Sequence, residues 1–144
     1  SGSGDNGSNN NGNNPDDNDD NNDDTPVSNN LKITIGPVSF NATLDNNETA
    51  KAFKRLLPMT VDMSELHGNE KYYYLSNGLP TASSNPGTIR TGDLMLYGST
   101  CVVLFYETFS TSYTYTRLGR ITNLSGLASV LGSGGVNVTF EITD

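Results

Sequence analysis

Beyond residue 30, apolar and polar residues alternate with period two in almost every segment of this chain, and that pattern constrains the fold more than any other feature. In "LKITIGPVSFNATL" the apolar positions are Leu31, Ile33 and Ile35, then Val38, Phe40, Ala42 and Leu44, with Gly36-Pro37 between the two sets. Successive side chains of a strand point to opposite faces, so such a run buries one face, and a Gly-Pro interruption reads as a hairpin turn or a break between two strands. The spacing returns in "MTVDM" (Met59, Val61, Met63) and in "VNVTFEI" near the end of the chain. "EKYYYL" reads as a short aromatic strand ended by the Asn77-Gly78 turn, and "DLMLY" and "CVVLFYE" flank Gly98-Ser99-Thr100. "FSTSYTYTRLGRI" supplies another strand, whereas "LPTASSNPGTIRTG" is small, polar and rich in breakers, and reads as a loop.

Two segments change the period. In "DNNETAKAFKRLLP" the residues Ala50, Phe53, Leu56 and Leu57 share one helical face, Asn46 or Asn47 offers an N-cap, and Pro58 supplies a stop, which predicts a helix of about three turns. "SGLASVLG" predicts a shorter helix with Ser125 as cap and Gly132 as C-terminal stop. About eight short strands and two helices on short links make a mainly β domain, an antiparallel barrel or sandwich capped by helices.

Residues 1–30 are almost entirely Asn, Asp, Gly and Ser, with seven Asp and Val27 as the one large apolar side chain. Such a segment buries too little surface to offset an ordering entropy of about 1 to 2 kcal/mol per residue, so it reads as a disordered tether leading to a domain at 31–144. The tether carries most of the formal charge of -8, leaving nine acids against eight bases in 31–144. A nearly neutral domain with no basic run is not expected to bind nucleic acid, and no apolar stretch reaches the roughly 18 residues of a membrane span. The acid-rich start is similar to the spacer that follows a lipid-modified Cys in bacterial surface lipoproteins. On that likeness, membrane contact is expected only through a lipid anchor before Ser1, with an extracytoplasmic location in the periplasm or at the cell surface. Asp16, Asn18 and Asp20 have the spacing that opens an EF-hand loop, but Asn21 and Val27 stand where the turn glycine and the closing glutamate belong, so no metal site is expected.

The segments "GNEKYYYL", "GDLMLYG" and "YTRLGRI", in the order "TAKAF…LHGNEKYYYL…GDLMLYGSTCVVLFYETF…YTYTRLGRI", resemble the small, largely uncharacterised bacterial cyclophilin-like domains. The resemblance runs from about Leu31 to Ile142. It implies a closed eight-stranded β barrel with a helix at each end. It also implies that a prolyl isomerase of this fold would carry an Arg on the strand matching "EKYYYL", where this chain has tyrosines. If the family's Gln-and-Phe segment matches "VLFY", Leu104 replaces the Gln and Tyr106 a pocket Phe. The pocket Trp has no counterpart, because the chain has no Trp, and the one His, His67, falls in a turn. Rotation about a peptide bond faces about 18 to 20 kcal/mol, and lowering it depends on a donor aimed at the amide. Weak or absent isomerase activity is therefore expected.

Val103 and Phe105 should face one side of their strand, and Val102, Leu104 and Tyr106 the other, which is the pattern of a strand buried on both faces. The seven tyrosines leave a surplus, since a Tyr buries its ring while offering its hydroxyl. Tyr72, Tyr74, Tyr97, Tyr106 and Tyr115, with Arg90 and Arg117 as donors, are the candidate ligand-binding residues. His67 with Cys101 or Asp62 is the one conceivable nucleophilic pair, although a Cys opening an apolar strand reads as a small buried hydrophobe. No cofactor and no catalytic set is expected. The function read from the sequence is a non-enzymatic module holding a peptide, a protein partner or a small ligand. The alternative is a peptidyl-prolyl isomerase whose site is rearranged around Arg90 or Arg117.

Overall fold

The computed structural model describes residues 26–144, and within them the alternating segments become strands whose burial alternates as their sequence does. β1 (Asn30–Ile35) and β2 (Val38–Leu44) form the first hairpin, and Gly36 turns it with φ +59°, a conformation that favours glycine. β3 (Met59–Leu66) and β4 (Glu70–Tyr74) form the second, β6 (Asp93–Tyr97) and β7 (Cys101–Phe105) the third. β9 (Thr116–Ile121) and the final strand β10 (Val136–Thr143) complete a closed antiparallel barrel in the order β9-β2-β1-β10-β3-β4-β7-β6, with β6 pairing back to β9. Closure leaves none of these eight strands with an unpaired edge.

The expected loop at 79–92 is not featureless. Its Ser84 bridges to Tyr115, and its β5 (Thr88–Ile89) pairs with β8 (Phe109–Ser110) in a two-stranded ribbon separate from the barrel. Two paired residues per strand are too few to announce themselves by periodicity.

Inward side chains of every barrel strand, among them Ile33, Phe40, Leu44, Met63, Leu96, Leu104 and Phe140, join one core. α1 (Glu48–Lys54) sends Ala50 and Phe53 into it, and Phe53 meets Phe140 edge to face at 5.7 Å. Asn47 is its N-cap, accepting from the Ala50 amide at 2.7 Å. The helix has seven residues rather than three full turns and ends four residues before Pro58, so Leu56 falls out of helical phase and is 43 % exposed. α2 (Leu127–Leu131) buries Leu127 and Leu131 in the same core. Its cap is Gly126 at φ 79°, with no side-chain bond, rather than Ser125, whose amide instead donates to Asn123.

Most of the segment read as a tether, and with it the Asp16, Asn18, Asp20 spacing, lies outside the described residues. Its last part is held to the barrel. Buried Lys54 donates to the Pro26 carbonyl (3.0 Å) and to Asn29 Oδ1 (2.8 Å), and the Ser28 hydroxyl donates to the Thr143 carbonyl (2.6 Å). Among the described residues no helix is long and apolar enough to cross a membrane.

Candidate functional site

β4, β7, β6 and β9 are consecutive neighbours in the barrel wall, and their register lines up the side chains of the outer face in rows. Tyr74, Cys101 and Tyr97 form one row; Tyr72, Val103, Met95 and Arg117 form the next; Glu70 stands opposite Phe105. Period two puts Glu70, Tyr72 and Tyr74 on the same side of β4, away from the core.

The outer face is partly covered. Ile89, Met95, Cys101, Val103, Phe105 and Tyr115 make a second buried cluster, with Tyr72 and Phe109 packed against it. Phe105 meets Phe109 at 5.7 Å and Tyr115 at 5.6 Å, while Tyr97 meets Tyr115 at 5.5 Å and Tyr113 at 6.0 Å. The ribbon and the segment that follows it are thereby fastened to the barrel wall by aromatic contacts.

What the cover leaves open is a groove of about 570 Å3 whose walls include Glu70, Tyr72, Tyr74, Tyr97, Tyr113 and Tyr115. Tyr74 is 64 % and Tyr97 46 % exposed, a large aromatic surface left facing water. The hydroxyls of Tyr72, Tyr97 and Tyr113 make no hydrogen bond within the described residues, which leaves them available to a ligand. Partial burial pushes the Glu70 carboxyl above its ordinary range; His67 pulls it back in part and Glu65 adds to the push. Burial likewise raises the Tyr115 hydroxyl, helped by Glu70, against a hydrogen bond with Thr111. Asn69, also on the wall, has a buried Oδ1 with no partner.

The candidate residues divide. Tyr72, Tyr74, Tyr97 and Tyr115 come together in the groove, whereas Arg90 and Arg117 do not join them. Both arginines line a second, smaller hollow of about 330 Å3, with Arg120, Asp93, Met95 and again Tyr115 on its wall. Arg117 is committed there to Asp45 (3.2 Å) and Asp93 (3.6 Å). The reason is register: Arg117 lies one strand beyond Met95, on the far side of the aromatic ridge from β4.

Tyr106 is also misplaced by the sequence reading. It points into the barrel, where its hydroxyl donates to Glu65 Oε1 at 2.6 Å, and burial followed by that bond push its pKa up to about 12. The same Glu65 oxygen accepts from Lys71 Nζ at 2.9 Å. Lys71 is fully buried, lies 5.3 Å from the Tyr106 ring centroid, and also donates to the carbonyls of Gly132 (2.8 Å) and Gly134 (2.6 Å). Partial burial raises the Glu65 carboxyl, but the bonds from Tyr106, Lys71 and Gly68 outweigh it, and the group titrates below its ordinary range. This network ties β3, β4 and the turn after α2 together and is structural.

The groove brings His67 and Cys101 onto one wall, but burial and the nearby Glu70 charge push the Cys101 thiol up, against a bond from Tyr74. A thiol held in its protonated form is a poor nucleophile. Asp62 is elsewhere, accepting from Asn137 at 2.7 Å. No group of three or more His, Cys, Asp or Glu among the described residues is arranged to hold a metal ion.

Glu70 and Tyr113 are among the wall residues that sequence reasoning passed over. Glu70 was findable, since it precedes Tyr72 and Tyr74 at period two. Tyr113 arrives from a loop, and no local spacing marks it.

In comparison with known proteins, the model of the Cyclophilin-like family matches residues 33–141. Among solved structures, that of a hypothetical protein from Archaeoglobus fulgidus, determined in solution, superposes with a TM-score of 0.60 at 22 % identity, over 81 % of this chain and 96 % of that one. At that identity the likeness concerns the fold. No curated protein sequence matches.

Proposed function

The chain belongs to the cyclophilin-like family, and from that premise we propose that it is a binding module without efficient isomerase activity, which holds its ligand in the tyrosine groove. The observation that carries this reading is the groove itself: a concave aromatic surface with free hydroxyls, on whose wall no Arg or Lys stands among the described residues. Grooves that bind are concave, mostly apolar and equipped with a few converging polar groups, which is what Glu70 and the tyrosines provide. Twisting a prolyl amide requires a fixed donor where resonance breaks, and the groove wall carries no Arg or Lys among the described residues to supply one. The acid-rich segment before the barrel supports placing the module outside the cytoplasm, on a leash fixed to a membrane by a lipid. Radiolabelled palmitate fed to cells expressing the complete gene tests that part; absence of label in the protein would count against the anchor.

Heteronuclear NMR against peptide and metabolite libraries tests the groove. Shifts localised to Tyr72, Tyr74 and Tyr97 are expected, and their absence across both libraries would overturn the reading.

The second reading, isomerisation by a rearranged site, draws on Arg90 and Arg120. Their guanidinium groups make no ion pair within the described residues and line the smaller hollow beside Tyr115. A protease-coupled assay on a proline peptide is expected to show no turnover above background. Turnover that Arg90→Ala or Arg120→Ala abolishes would establish this alternative instead.

A further inference from the structure

Resting on the reading of the groove as a binding site, we infer that its ligand is an extended peptide presenting a cationic side chain, the ammonium of lysine or the guanidinium of arginine, to the tyrosine rings and Glu70. The chemistry of the wall is one-sided. It offers five tyrosine rings and the Glu70 carboxylate, while His67 is its only basic side chain among the described residues. An ammonium or guanidinium group brings donors and no acceptors, and the face of a tyrosine ring attracts it.

The molecule already contains one such arrangement. Inside the barrel the Lys71 ammonium sits 5.3 Å from the Tyr106 ring centroid and 2.9 Å from the Glu65 carboxylate. A tyrosine ring, a carboxylate and amide oxygens therefore suffice in this fold to hold a cation, and the groove presents tyrosine rings and a carboxylate on the outside.

The extended form of the ligand follows from the ribbon. Among the described residues β8 pairs with β5 alone, so its second edge has no strand beside it there, and Ser110, Thr111 and Ser112, at and just after β8, line the groove. A peptide strand can pair with such an edge while its side chain enters the tyrosine pocket. The chain's own acid-rich start has no such side chain to offer, since residues 1–25 hold seven Asp and no Lys or Arg.

The test is an NMR titration of the full chain with three probes: an acetylated, amidated Ala-Ala-Lys-Ala-Ala peptide, the same peptide with norleucine for lysine, and n-butylammonium. The lysine peptide is expected to shift the signals of Tyr72, Tyr74, Tyr97 and Tyr113, and to bind about tenfold or more tightly than the norleucine peptide. Glu70→Gln is expected to erase that difference, and if that variant does not fold, the two-peptide comparison on the unaltered chain still decides. Equal affinity for the norleucine peptide would overturn the cation inference and leave the binding module standing. Equal affinity for n-butylammonium would overturn the peptide. If neither peptide shifts the groove, while other library members do, the inference falls alone; if nothing does, the binding reading falls with it.

Discussion

The two faces of the barrel wall at β4 and β7 treat polar groups in opposite ways. On the inner face, Lys71, Glu65 and Tyr106 are partnered with one another and with the carbonyls of Gly132 and Gly134. On the outer face, one residue along the same strand, Glu70 makes no ion pair within the described residues, and Tyr72 and Tyr97 keep free hydroxyls. A buried polar group is tolerated when it is satisfied, so the inner set contributes to a unique fold. The polar groups of the outer set are left unpartnered within the described residues, and the contrast supports the proposal that a ligand engages them.

The sharpest way to break this contrast is to remove the inner cation. Lys71→Met removes the cation beside the Glu65 carboxylate and leaves two carbonyls without their donor, and a loss of about 3 to 5 kcal/mol is expected in urea unfolding. A loss below about 1 kcal/mol would show that the network is no more structural than the groove. Phe105→Ala probes the covered part of the outer face. Phe105 is fully buried between Phe109 and Tyr115, and a cost of about 3 to 5 kcal/mol, accompanied by faster amide exchange in β5 and β8, is expected.

Gly119 gives a smaller effect. It lies at a register shift between β9 and β6, where a Cβ would run into the Thr43 carbonyl oxygen of β2. Gly119→Ala should cost about 1 to 3 kcal/mol, read from thermal unfolding.

The smallest effect on stability belongs to Glu70 and has the opposite sign to Glu65. The folded state raises the Glu70 carboxyl, so its contribution to stability falls as pH rises from the ordinary carboxylate value through the raised one. Glu70→Gln should leave stability unchanged or raise it by less than about 0.5 kcal/mol at pH 7, with the difference vanishing below about pH 4. Glu65 is lowered, so its stabilisation is complete above the ordinary value and is lost as pH falls through the depressed one. Melting curves of the two glutamine variants from pH 3 to 8 should therefore diverge in opposite directions.

How much of this was legible in the sequence follows from which interactions are local. The hairpins turned by Gly36-Pro37 and by Gly98-Ser99-Thr100, the cap at Asn47 and the two-sided burial of 101–106 are set by residues a few positions apart, and all could be read. The closure of the barrel came from the family resemblance; alternation alone left a sandwich equally open. The site was half legible. Spacing places Tyr72 and Tyr74 together, but it cannot say that Tyr106 meets Glu65, 41 residues away, or that the arginines fall beyond an aromatic ridge built from Phe105, Phe109 and Tyr115.

The central claim is that the outer groove holds a ligand and has, among the described residues, no Arg or Lys with which to turn a prolyl bond. Exchange NMR on a lysine- and proline-containing peptide at saturating protein tests both halves in one sample. The account predicts shifts at Tyr72, Tyr74 and Tyr97 with the cis-trans exchange rate of the peptide unchanged. A clear acceleration of that exchange, lost in Arg90→Ala, would contradict it.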